Sequence, residues 1–175
     1  MRFLAISGSL RASSSNTVLL RALPFVTDPR VVFTFSAPLD RLPYFNPDTE
    51  ELALPASISE WRAEIREHSA LVFCSPEYAH GVPGVLKNAL DWLVGGVEIV
   101  GKPIGVLNTS LPSTTAHASL LETLRVMGGR VIPEASVGIF LRGLKLNEEG
   151  LAAHPALSPL LRGAMEALVS AALAP

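Results

Sequence analysis

One cysteine, Cys74, among 175 residues rules out an internal disulfide and fits a reducing compartment. No apolar stretch approaches the ~18 residues that a membrane-spanning helix needs. The apolar run at residues 3–6 is too short for a signal-peptide core and passes straight into a polar loop. Neither sign of charge dominates: 14 Lys and Arg against 16 Asp and Glu leave a net charge of −2. That balance lacks the electrostatic footprint of a nucleic-acid or anionic-membrane binder. His68, His80, His117 and His154 show no metal-ligand spacing with Cys74 or with carboxylates, and no internal repeat is evident. These absences predict a cytoplasmic protein without membrane or nucleic-acid partners.

What the chain does have is apolar content, 49% with a mean hydropathy of +0.37. With no membrane span to absorb it, that excess belongs in strands buried on both faces and in a subunit interface, and the length suits one well-buried core. Short β-branched or apolar runs at residues 2–7, 31–35, 70–75, 103–108 and 130–137 alternate with helical periodicity at 17–23, 58–68, 83–94, 117–127 and 159–173. Alternation of this kind signals βαβ units and a parallel sheet. The expected fold is α/β, a flavodoxin-like three-layer α/β/α sandwich over residues 1–175 as a single domain, with five parallel strands in the order 2-1-3-4-5. In such sheets ligands bind beyond the carboxyl ends of the strands, at the switch point beside strand one.

The loop at that switch point is Gly8-Ser9-Leu10-Arg11-Ala12-Ser13-Ser14-Ser15-Asn16, rich in hydroxyls and free of Asp and Glu. A strand-to-helix turn leaves the first helical amides without acceptors at the positive end of the helix dipole, a favourable seat for an anion. Hydroxyls of Ser9 and Ser14, the Asn16 amide and the Arg11 guanidinium add donors around a single phosphate. G-x-G-x-x-G is missing, and so is the G-K-[ST] ending of a P-loop. A monophosphate ester suits this loop better than a triphosphate with its metal. The plainer alternative is an ordinary βα loop in which Ser15 or Asn16 caps the helix.

The same geometry directs attention to the loops after strands three and four. The first reads Pro76-Glu77-Tyr78-Ala79-His80-Gly81-Val82-Pro83-Gly84 and the second Thr109-Ser110-Leu111-Pro112-Ser113-Thr114-Thr115. Prolines and glycines in the first fix the backbone path and allow a flat ligand to approach closely.

Gly8-Ser9-x-Arg11-x-x-Ser14-x-Asn16, Ser75-Pro76-Glu77-Tyr78 and Pro83-Gly84-x-Leu86-Lys87-Asn88-Ala89-x-Asp91-Trp92 together resemble the NADPH-dependent FMN reductase family. The resemblance covers at least residues 1–127, and it implies bound FMN and hydride transfer from NADPH, or NADH, to a small acceptor: a quinone, free flavin, an azo dye or a metal oxyanion. By position, Ser9, Arg11, Ser14, Ser15 and Asn16 would hold the FMN phosphate. Pro76, Glu77, Tyr78, Ala79, His80 and Gly81 would line the isoalloxazine, largely through backbone groups, with Ser110 contributing from the fourth loop. No side chain is assigned as a catalytic acid or base.

The chain also departs from the family pattern. Ala79 stands where Asn is common, and His80 replaces a frequent aromatic. Residues 42–48, Leu-Pro-Tyr-Phe-Asn-Pro-Asp, resemble a family loop that approaches the flavin from the side or from a partner subunit; a hydrophobic anchor pinning a long loop is the alternative. The family suggests a homodimer or homotetramer, and the helix carrying Lys87, Asp91, Trp92 and Leu93 is expected to offer Trp92 and Leu93 as the apolar patch. Two other classes compete. A flavodoxin-type electron carrier would bind FMN and serve a protein partner without NAD(P)H activity, but such carriers are strongly acidic. A low-molecular-weight phosphatase would place an Arg six residues after its nucleophilic cysteine, where this chain has His80.

Overall fold

The computed structural model describes residues 1–109, 115–141 and 143–174. Strand β1 (Arg2–Ser7) is flanked on both sides. It runs parallel to β2 (Val32–Phe35), with Arg2 opposite Val32, and to β3 (Ala70–Cys74), with Phe3 opposite Ala70 and Ser7 opposite Cys74. β4 (Pro103–Leu107) joins β3, and the two-residue β5 (Arg130–Val131) joins β4. The resulting parallel sheet has the order β2-β1-β3-β4-β5, as the sequence predicts.

Side-chain alternation sorts the central strands into two cores. Phe3, Ala5, Val72, Cys74 and Leu107 face one side, where α1 (Ser15–Val26), α6 (Glu148–Ala153) and α7 (Ser158–Leu173) cover them with Leu19, Leu23, Leu151, Leu161, Met165 and Leu168. Leu4, Ile6, Leu71, Phe73, Ile104 and Val106 face the other side, against α3 (Ala56–Glu67), α4 (Gly84–Asp91) and α5 (Thr115–Val126). Burial on both faces is why these strands read as unbroken apolar runs rather than as alternating ones. The short helix α2 (Pro47–Leu52) lies between β2 and α3 and has no buried residue.

Several expectations need correction. The fifth strand was expected over residues 130–137 but stops at Val131, because Pro133 has no amide to offer the ladder and opens a 3-10 turn, Pro133–Ala135. The path rejoins the sheet only as a single bridge between Asn108 and Gly138. Helix α1 runs through Pro24 to Val26 instead of stopping at residue 23, and Pro24 sits on the exposed side of the helix. Helix α4 ends at Asp91, and Trp92 and Leu93, expected as a surface patch, are wholly buried in the second core. The apolar side chains that reach solvent in this region are Val94, Val97, Val100 and Val126.

Candidate functional site

Loop and helix at the end of β1 are built from short polar side chains that bond locally. Ser14 is the N-cap of α1 and accepts from the Thr17 amide at 3.5 Å, while the first helical bond runs from Val18 N to the Ser14 carbonyl. The amides of Ser15 and Asn16 therefore open the first turn ahead of any intrahelical acceptor. Upstream, the Ser9 amide donates to Ser7 Oγ at 3.2 Å and the Arg11 amide to Ser9 Oγ at 3.3 Å, which curls the loop. Arg11 is exposed and forms no ion pair among the described residues.

Ser15 and Asn16 are tied inward. The Asn16 carboxamide oxygen, nearly buried, accepts from the Cys74 thiol at 3.2 Å and from the Thr109 hydroxyl at 3.0 Å. With its proton given to Asn16, Thr109 Oγ1 is the acceptor of the Ser15 hydroxyl at 3.1 Å. Three strand ends are thereby joined: β1 through its loop, β3 through Cys74 and β4 through Thr109. Sequence reasoning quoted Thr109 within a hydroxyl-rich loop but gave it no role. Cys74 is fully buried, and desolvation pushes its thiol far above the ordinary range, which leaves it a neutral donor with no nucleophilic character.

The loop after β3 makes a tight turn. Tyr78 and Gly81 exchange both backbone bonds, at 3.0 and 2.9 Å, across Ala79 and His80, whose φ angles are 49° and 60°. Left-handed backbone at two successive residues is the primed turn that Asn and Gly adopt most easily. The Glu77 carboxylate is committed elsewhere: Oε1 accepts from His80 Nδ1 at 3.0 Å and Oε2 from the Ala116 amide, at the start of α5, at 3.1 Å. An acid at a helix N-terminus is favourably placed. Within this loop the groups facing outward are the exposed Tyr78, Ala79 and His80.

Between the two loops lies a cleft of about 480 Å³, lined by Gly8, Leu10, Arg11, Tyr44, Tyr78, Gly84 and Val85. That volume falls within the ~300–1,000 Å³ of small-molecule sites. Of the residues predicted from sequence, the cleft unites Arg11 and Tyr78. Ser9 lies in an adjoining hollow on the other side of its loop, and Ser15 beside Leu141, Leu144 and Leu146. Pro76 and Glu77 line a narrow crevice against β4 and α5, and Ser110 lies outside the described residues. Gly8 is required here because a Cβ would come within 2.5 Å of Ser75 Oγ, so its absence lets the β1 and β3 loops close together. A larger hollow of about 670 Å³ beneath α3 includes no residue of either loop.

The 42–48 loop divides between its two readings: Tyr44 lines the cleft, while Phe45 and the backbone on either side of Tyr44 are anchored. Asn88 Nδ2 and Trp92 Nε1 both donate to the Pro43 carbonyl, at 3.0 and 2.8 Å, and Asn88 Oδ1 accepts from the Phe45 amide at 2.8 Å. Phe45 meets Trp92 edge to face at 5.0 Å. The Asn88 and Trp92 positions of the long motif thus hold the 42–46 loop over the cleft.

A monophosphate with a planar apolar body fits these donors: one guanidinium without an ion pair among the described residues, uncommitted helix-start amides, no carboxylate in the 8–16 loop, and a cleft lined in part by Gly8 and Gly84. Comparison with known proteins agrees. A quinone reductase of Escherichia coli strain K12 is 30% identical over 114 residues, 63% of this chain and 61% of that protein. An NAD(P)H-dependent FMN reductase of Pseudomonas aeruginosa is 36% identical over 112 residues, 63% of this chain and 60% of that one. The chain spans about three fifths of the length of these relatives. Among solved structures, the flavoenzyme NAD(P)H:(acceptor) oxidoreductase FerB of Paracoccus denitrificans superposes with a TM-score of 0.76 at 26% identity, covering 98% of this chain and 96% of its own. The sequence profile of the NADPH-dependent FMN reductases matches residues 1–140, and on that match, carried by the loops just described, the chain belongs to this family.

Proposed function

We propose that the chain is an FMN-dependent NAD(P)H oxidoreductase that passes hydride to a small acceptor such as a quinone, and that its 175 residues act as one FMN-binding domain. The observation that carries this reading is the convergence of Arg11, from the loop that leads into α1, with Tyr78 on a single cleft beside the switch point. Arg11, Ser9 Oγ and the Ser15 and Asn16 amides hold the phosphate, with Ser14 shaping the turn as its cap. Pro76 to Gly81 offer backbone groups to the ring, since the Glu77 carboxylate is bound to His80 and Ala116. Bound FMN supplies the two-electron exchange between nicotinamide and acceptor. The protein contributes grip, orientation and exclusion of water.

Relatives named as reductases of FMN and of quinones support this over a carrier role, as does a net charge of only −2. Exposed Val94, Val97, Val100 and Val126 support self-association as a homodimer or homotetramer. No helix of the described residues is long and apolar enough to cross a membrane, and the single cysteine supports a cytoplasmic site of action. The visible spectrum of the purified protein, taken before and after anaerobic addition of NADPH, tests the proposal. A yellow protein that bleaches is expected; a protein that stays colourless when mixed with FMN overturns it.

A further inference from the structure

The chain has two tyrosines, and both line the one cleft. They differ in how they are held. Tyr78 is 55% exposed and stands at the base of a turn, whereas Tyr44 is 92% exposed and touches little of its own protein. Exposure that high for a large aromatic ring wastes apolar surface unless something covers it. The backbone beneath Tyr44 is nevertheless fixed on both sides. Asn88 grips the Pro43 carbonyl before it and the Phe45 amide after it, Trp92 adds a second donor to Pro43, and Phe45 is wedged against Trp92. Further along, Arg62 donates to the Trp92 carbonyl at 2.9 Å and pairs with Glu50 of α2, so the loop is anchored at its far end as well.

A ring projecting from a fixed backbone, with both faces open above a small-molecule cleft, is pre-organised for stacking. We infer that Tyr44 is a specificity-determining residue that stacks on a flat aromatic electron acceptor, with Asn88 as the positioning residue that aims it; this rests on the oxidoreductase reading above. The acceptor is favoured over the cofactor because Tyr44 is the more exposed of the two rings that line the cleft, 92% against 55% for Tyr78. A ring that lines a wall with 92% of its surface open meets the ligand that comes and goes rather than the one that stays.

The test uses the FMN-loaded protein and two acceptors, 2-methyl-1,4-naphthoquinone and ferricyanide, the latter offering no ring to stack on. For Tyr44→Ala the ratio of kcat/KM for the quinone to that for ferricyanide should fall about three- to tenfold, the range that one aromatic contact commands. The fall should lie in KM, and Tyr44→Phe should restore it. Asn88→Ala should lower the same ratio without touching the ligand. In a second arm, without any nicotinamide, the quinone is titrated into oxidised holoprotein and its Kd read from the shift in the visible spectrum. Tyr44→Ala should weaken it by the same factor. An unchanged ratio and Kd overturn the inference and leave the oxidoreductase reading intact. A loss of FMN affinity with the ratio preserved also overturns it, assigning the ring to the cofactor. If wild-type holoprotein does not oxidise NAD(P)H, the oxidoreductase reading fails, and the titration without nicotinamide still decides whether Tyr44 grips the ring.

Discussion

Arg11 brings its charge into a loop with no carboxylate, so its charge-assisted bond to a phosphate is uncontested. Such a bond is worth ~1.5–3 kcal/mol, and Arg11→Ala should therefore weaken FMN binding about ten- to hundredfold. Riboflavin, which lacks the phosphate, should bind both forms alike; fluorescence titration of the two flavins makes the comparison. Ala79 is a different kind of residue-scale feature. At φ 49° its Cβ crowds the following carbonyl, a strain of ~1–2 kcal/mol for an L-residue that Asn tolerates better. Ala79→Asn should raise the urea midpoint, with a gain of ~0.5–1 kcal/mol, a part of that strain. The departure at position 79 thus meets a backbone constraint that only the φ angle reveals.

Elements were legible where one physical signal governed them. Strands buried on both faces declare themselves as apolar runs, and β1, β3 and β4 were found within a residue of expectation. β5 failed because residues 130–137 mix β-branched side chains with Pro133, and the proline decided the outcome. Trp92 and Leu93 failed for the opposite reason. Helix periodicity does not reveal that the helix stops at Asp91, after which the chain turns both side chains into the core. At the site, Arg11 was singled out by the composition of its loop and Tyr78 by the family resemblance, and the two line one cleft. Thr109 and the Asn88–Tyr44 arrangement were not legible, since each depends on partners 93 and 43–45 residues away. Close packing of elements gives a further test at β4. A Cβ on Gly105 would lie 2.8 Å from the Ala135 carbonyl of the 3-10 turn, backbone that cannot swing aside. Gly105→Ala should destabilise the protein by ~1–3 kcal/mol, as overpacking does, measured by denaturant unfolding.

The whole molecule carries a pH dependence of definite sign. Burial lowers the pKa of His117 in α5. As pH falls, the unfolded chain takes up this proton near ~6.5 while the folded chain resists it, so stability declines on the acid side of that value. His117→Gln should flatten the curve of unfolding free energy against pH between ~6.5 and the lowered native value. Desolvation acts with the opposite sign at Glu64, raising its pKa with help from Glu67, so protonation there favours the folded state.

The match to the family stops at residue 140, but the first core does not: Leu141, Leu151, Leu161, Met165 and Leu168 all roof the sheet face that carries Phe3, Val72 and Cys74. A polypeptide cut by homology would keep every loop around the cleft and yet strip α6 and α7 from one face of its sheet, leaving α1 alone to cover it. The residues beyond the family match are here the keel that keeps the reactive end upright.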